Sequence, residues 1–319
     1  MRLTSFNTED KTMNTIKMTL LAATLAIVTC LPAGAKLNIV ATTPDLAAVA
    51  RAVGGDAVEI TTLARPTEDP HFVEARPSLI LKLNRADVLI EGGAELEAGW
   101  LAPLLQGARN PRMVVGAPGR IQCNQGISML DVPAALDRSE GDIHAAGNPH
   151  YMTDPANARI VANHLTEVLC QIDPKSAETY RANLKTFTDR LTSKMAEWQK
   201  QLAPFQGRHV VAYHNSWPYF AKRFGLKIEL FLEPKPGLPP TPAHLAGVIA
   251  RMKEEQARVI FVEPYLDRRT AESVARSTGA VVLDVAFFPG GIKGTEDDYL
   301  KLMDRIVSSL ALALSGAAK

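Results

Sequence analysis

Four residues stand at the ends of short apolar runs, or within reach of them, and carry side chains of the types that can bind a metal ion. His71 lies in the loop Pro66-Thr67-Glu68-Asp69-Pro70-His71, after a strand ending near Leu63; His214 directly follows the strand His209-Val210-Val211-Ala212-Tyr213; Asp284 ends Val281-Val282-Leu283. His150, in Gly147-Asn148-Pro149-His150, sits in a loop able to reach the same cleft. Open α/β sheets gather their ligands beyond the carboxyl ends of their strands. Three imidazoles and one carboxylate are borderline nitrogen and oxygen donors that suit Zn2+, and two groups from each half of the chain would draw the halves together around one ion. A closed set of four leaves little room for a reactive water. No H-x-x-x-H spacing ties any two of these histidines, so taken singly each reads as an ordinary surface or core residue.

Two carboxylates compete for a place beside them. Glu263, in Phe261-Val262-Glu263-Pro264, also ends a strand and is expected to accept an imidazole N–H, with direct ligation as the alternative. Glu74, three residues beyond His71 on one helical face, would complete half of a hydrolase motif; without H-E-x-x-H it reads as a solvated acid. His164 and His244 read as helix residues and His209 as the start of a strand. Gly290-Gly291 lacks the strand–G-x-G-x-x-G–helix setting of a dinucleotide site and is read as a turn, and no Walker A sequence occurs.

The elements that must position these residues alternate. Strands are expected at Leu37 to Thr42, Val58 to Leu63, Val88 to Glu91, His209 to Tyr213, Val259 to Val262 and Ala280 to Leu283. Helices fall at Asp45 to Val53, Pro77 to Arg85, Thr241 to Glu255 and Leu266 to Ser277. This rhythm implies βαβ units and parallel sheets, an α/β fold in two lobes. Between the lobes, Ala177, Tyr180, Leu184, Phe187, Leu191, Met195, Trp198 and Leu202 recur at helical spacing, opened by Asp173-Pro174 and closed by Pro204. The expected organisation is a signal peptide at 1–35, an N-terminal lobe at 36–173, a rigid connecting helix at 174–203 and a C-terminal lobe at 204–319, with the metal cleft between the lobes.

Composition narrows the class. The chain has 319 residues, 46% of them apolar and 22% charged, which fits a folded protein and excludes disorder and coiled coil. Lys17, the apolar run Leu20 to Leu31 and Ala33-Gly34-Ala35 describe an export signal cleaved after Ala35, with lipidation at Cys30 the less favoured alternative. Without the first 35 residues, basic and acidic residues balance, against a nucleic-acid surface. Cys123 and Cys170 remain after cleavage; an oxidising compartment would allow them to pair, and burial of Cys170 on a helix is the equal alternative.

The stretches Thr67 to Ser78, Gly147 to Pro155, Tyr213 to Trp217 and Val281 to Asp284 resemble, in that order, the four metal-ligand segments of the zinc/manganese substrate-binding proteins of ABC importers, the solute-binding cluster A-I. The resemblance runs over the whole mature chain. It implies a periplasmic, monomeric, non-enzymatic receptor with two α/β lobes and a metal held by His71, His150, His214 and Asp284, delivered to an ABC permease in the inner membrane. Members with His at the third position are generally zinc binders, whereas manganese members tend to carry Glu, so His214 points to Zn2+ over Mn2+. Many zinc members carry a His-rich loop between the first two segments; here the stretch Asn124 to Asn148 has only His144, read as an exposed loop residue with transient zinc capture as the alternative. A short loop also resembles members loaded by a separate periplasmic zinc metallochaperone. Because imidazoles bind metal when neutral, affinity is expected to fall below about pH 6. Two rival classes are a zinc hydrolase, with three histidines on the metal and Asp284 or Glu263 as general base, and a lipid-anchored adhesin.

Overall fold

A computed structural model of the chain describes Met1 and residues 35–135, 141 and 144–316. The expected signal segment, up to residue 34, and part of the Asn124 to Asn148 loop lie outside the described residues.

Two four-stranded parallel sheets form the frame. In the first, Leu37–Ala41 (β1) lies between Val58–Thr62 (β2) and Val88–Glu91 (β3), with Arg120–Gln122 (β4) beyond, in the order β2-β1-β3-β4. The second, built from His209–Ala212 (β5), Lys227–Phe231 (β6), Val259–Val262 (β7) and Val281–Asp284 (β8), repeats that order as β6-β5-β7-β8. The central strands read as near-continuous apolar runs because helices cover both faces. In this order successive connections leave the first strand toward opposite sides, which opens a crevice beyond the carboxyl ends of β1 and β3 and of β5 and β7.

The helices are Pro44–Gly54 (α1), Pro77–Arg85 (α2), Leu101–Ala108 (α3), Pro155–Ile172 (α4), Ala177–Leu202 (α5), Pro218–Phe224 (α6), Pro242–Glu254 (α7), Arg268–Thr278 (α8) and Tyr299–Leu314 (α9). Proline opens α1, α2, α4, α6 and α7, where its fixed φ suits the first turn and its missing N–H is not needed. The strand pleat distributes side chains between two cores. Ile39 and Ala41 face a central core, whereas Val40 faces an outer one with Leu79, Leu83 and Leu104. In the second sheet, Val210 and Ala212 face the central core and Val211 an outer one with Val248 and Val274.

The central core is continuous through both lobes, and α5 is the reason. Its 26 residues, flanked by single 3-10 turns at Pro174–Ser176 and Ala203–Phe205, run about 39 Å at 1.5 Å per residue. The expected stripe is the face it buries: Tyr180, Phe187, Leu191, Trp198 and Leu202 are in the core, with Leu184 and Met195 packed at its margin. Asn183 Nδ2 donates to Val53 O at the end of α1 (2.9 Å), and Trp198 Nε1 donates to Asp304 Oδ1 on α9 (2.7 Å). Pinned to a helix of each half, α5 works as a strut.

Five elements, β4, β6, α3, α6 and α9, were not read from the sequence, and α4 was anticipated only through His164 and Cys170. β4 is three residues with a single apolar position, and β6 is an edge strand that alternates exposed and buried. α4 begins at Asp154, whose side chain accepts from Ala156 N, and α9 at Asp298, which accepts from Leu300 N and Lys301 N; both are capped starts of the usual kind. Glu74 lies outside any helix, before α2 begins at Pro77, so it shares no helical face with His71 and the half-motif dissolves. Cys123, fully buried, and Cys170 are both free thiols, so the expected alternative of a disulfide is not realised. Among the described residues no helix is long and apolar enough to cross a membrane.

Candidate metal centre

His71, His150 and His214 converge. Each offers a ring nitrogen, and these atoms all lie within 4.8 Å of one another. His71 Nε2 and His150 Nε2 stand 3.2 Å apart. Two imidazoles on a tetrahedral Zn2+, at 2.0–2.1 Å each, would have nitrogens about 3.3 Å apart. That edge is already in place.

Each histidine is delivered by a different local device. His71 sits in a turn where its N–H donates to Asp69 Oδ1 (2.9 Å) and where Trp100 Nε1 donates to the preceding Pro70 O (2.8 Å). His150 follows a loop that requires glycine at Gly147: φ is +100° there, and a Cβ would lie 2.7 Å from Leu130 O. The His150 loop is then gripped from the C-terminal half. Tyr219 OH donates to Asn148 O (2.8 Å), Tyr299 OH to Met152 O (2.7 Å), and Arg223 makes a bidentate pair with Asp154 (2.7 and 2.8 Å). His214 extends directly from β5, held by Ser216 N donating back to its carbonyl (2.9 Å).

The far ring nitrogens are also pinned, by unlike partners. His150 Nδ1 lies 2.9 Å from Asn148 Oδ1, and His214 Nδ1 lies 2.7 Å from Glu233 Oε2. Burial, with repulsion from the other imidazoles, pushes His150 well below the ordinary histidine pKa. The same causes, burial first and then His144 and His214, bring His71 down to about 3. Burial also opposes charge on His214, but the Glu233 carboxylate, with smaller contributions from Glu263 and Asp69, outweighs it and raises the pKa.

The fourth expected residue, Asp284, does not join the cluster. In β8, Val281 and Leu283 pack toward the central core while Val282 faces the outer core. Two residues after Val282, Asp284 takes that outer face. There 70% of its side chain is exposed, and it pairs with Arg268 at the start of α8. Glu263 is buried, but its Oε1 accepts from the Trp217 indole (2.8 Å) and not from an imidazole as expected. Burial pushes its carboxyl up to about 7, and Oε2 has no hydrogen-bond partner among the described residues. His144 is not a loose loop residue: its ring stacks on His71, centroids 5.1 Å apart and 22° between planes. Of the remaining histidines, His244 Nε2 lies 3.0 Å from Phe231 O, His209 pairs with Glu255 and His164 lies on α4.

Three residues went unread. Asn148 lies within the segment that marks His150, two positions before it, but its neutral amide is not among the usual zinc donors and drew no role. Glu233 follows β6, and the rule that ligands collect beyond strand ends would have found it had that edge strand been legible. Phe287, whose ring lies 5.2 Å from both His150 and Trp217, walls the cluster.

Comparison with known proteins agrees with this architecture. A family profile described as zinc-uptake complex component A, periplasmic, matches residues 39–313. The chain is 26% identical over 285 residues to the iron-binding protein YfeA of Yersinia pestis, covering 86% of each. It is 24% identical over 312 residues to the manganese ABC transporter substrate-binding lipoprotein PsaA of Streptococcus anginosus, covering 93% of this chain and 97% of that one. Among solved structures, a crystal structure of ZnuA superposes with a TM-score of 0.74 at 24% identity, over 87% of this chain and 99% of that one, a likeness of fold. Matched from β1 into α9 and thus through both sheets, the chain belongs to the family of the zinc-uptake complex component A, periplasmic.

Proposed function

We propose that the chain is a periplasmic receptor that captures Zn2+ between its two sheets and delivers it to the permease of an ABC importer in the inner membrane. The observation that carries this is the convergence of three imidazoles from separate segments, two of them already spaced as neighbouring corners of a zinc tetrahedron. The ligand set is His71, His150 and His214. Asp284 would have to leave Arg268 and turn inward from the outer face of its sheet to complete it.

The donor chemistry supports zinc as cargo. A set of imidazoles suits Zn2+ and Fe2+ better than Mn2+, which favours carboxylates. The iron and manganese in the names of YfeA and PsaA belong to those proteins. Export fits the segment ahead of Lys36, with cleavage after Ala35 favoured over a lipid at Cys30. With α5 packed into both lobes, loading shifts loops around the cleft more than it swings the lobes.

Three histidines around a zinc with one open position is also the form of a hydrolytic site. What weighs against that second reading is the placement of its two candidate bases. Asp284 faces outward, and Glu263 is tied to Trp217. Calorimetric titration of the exported protein with Zn2+ tests the receptor. His71→Ala and His214→Ala should each lose more than the roughly 100-fold that marks the upper end for residues acting behind the ligands. Native affinity in both variants would end the proposal.

A further inference from the structure

We infer that Glu233 is a positioning residue for zinc capture: its carboxylate holds the His214 Nδ1–H from behind, so that the Nε2 lone pair is the one presented to the cargo. The inference deepens the proposed receptor function and rests on His214 being a ligand.

The geometry is preset by the sheet. Glu233 N donates to Tyr213 O (3.0 Å), which fastens the second residue after β6 to the residue before His214. Both side chains are largely enclosed, 14% exposed for His214 and 11% for Glu233, and their contact of 2.7 Å is within the range of a charge-assisted hydrogen bond. Gly237 N donates to the same Oε2 (3.2 Å), which holds the carboxylate in place when the imidazole rotates. Glu263, the other buried acid acting on His214, is committed to the Trp217 indole and is not the imidazole's acceptor.

An imidazole carries one proton on two nitrogens when neutral, and which nitrogen keeps it decides which one can bind metal. A carboxylate only accepts, so it must face an N–H; with the proton fixed on Nδ1, Nε2 is left as the donor to metal. Without that acceptor, neutral His214 divides between two tautomers, one of which presents an N–H to the cation. The ring also loses the support that raises its basicity as a ligand.

The test uses the exported full chain with isotopically labelled histidine. In the metal-free native protein at alkaline pH, nitrogen shifts should place the His214 proton on Nδ1. Glu233→Gln keeps an oxygen acceptor and should keep that tautomer, with Zn2+ affinity within about threefold of native. Glu233→Leu should release the tautomer and weaken Zn2+ binding by roughly 10–100-fold, with an unchanged circular dichroism spectrum. A native His214 protonated on Nε2, or Glu233→Leu binding as tightly as native, overturns the inference. So does Glu233→Gln falling as far as Glu233→Leu. His214→Ala separates the two levels: if it binds zinc like the native chain, the receptor site itself is wrong, whereas its loss beside an unaffected Glu233→Leu removes only the role of Glu233.

Discussion

His150, buried, and His214, largely enclosed, lie a few ångströms apart, each held at Nδ1, yet their acid–base behaviour diverges. Behind His150 stands the neutral amide of Asn148; behind His214 stands the carboxylate of Glu233. The first histidine is driven well below its ordinary pKa and the second above it. Burial acts on both in the same direction, so the difference lies in the partner. One half of the cleft supplies ligands that remain neutral in acid. The other supplies a ligand for which protons compete with the metal.

Removing a ligand from either side of this comparison has the largest consequence. His150→Ala should abolish tight Zn2+ binding as completely as His214→Ala, each beyond about 100-fold in calorimetry. Equal loss would show that the two supports, however unlike, serve equivalent ligands.

The pH profile is the next effect and separates them. The raised His214 pKa means that metal must displace a proton as pH falls, so affinity should begin to decline above the ordinary histidine value near 6.5. This moves the fall upward from the expected pH of about 6. His71, brought down to about 3, and His150 do not compete in this range. One proton should therefore be taken up per ion lost, and Glu233→Gln should shift the decline to lower pH. For the metal-free protein the sign reverses. The His214–Glu233 pair stabilises the fold fully below the unfolded histidine pKa, and that stabilisation is lost as pH rises through the folded value. Thermal melts of the metal-free chain across neutral pH would show it.

Asn148 also does a job that Glu233 does not. Its Nδ2 donates to Asn215 O (2.8 Å) and to Asp131 Oδ2 (3.3 Å), while its Oδ1 accepts from His150 N (3.1 Å). Asn148→Ala should therefore lower stability by about 1–3 kcal/mol through the buried groups it leaves unpaired, in addition to weakening zinc. Denaturant unfolding of the metal-free protein measures the first part. Asp284→Asn is the smallest expected change, with affinity held within about threefold and stability within 1 kcal/mol, as for an exposed ion pair. A large loss of affinity would return Asp284 to the ligand set.

The legible and illegible parts of this site divide along physical lines. Apolar runs and the stripe from Ala177 to Leu202 carry their period in the residues themselves, so the central strands and α5 could be read directly. The three histidines were found because they follow strand ends or lie in a distinctive segment. Asp284 shares that sequence position, but a strand alternates faces at each residue, and the pleat sends Asp284 out beside Arg268. The supports of the ligands were harder still. Glu233 is brought to His214 only by the pairing of β5 with the short edge strand β6, a tertiary contact that leaves no local pattern.

X-ray absorption at the zinc edge of the loaded, exported protein tests the central claim most directly. Three imidazole nitrogens at about 2.0–2.1 Å from a single zinc are predicted. A shell with fewer than two imidazoles, or one dominated by carboxylate oxygen or sulfur, would contradict it.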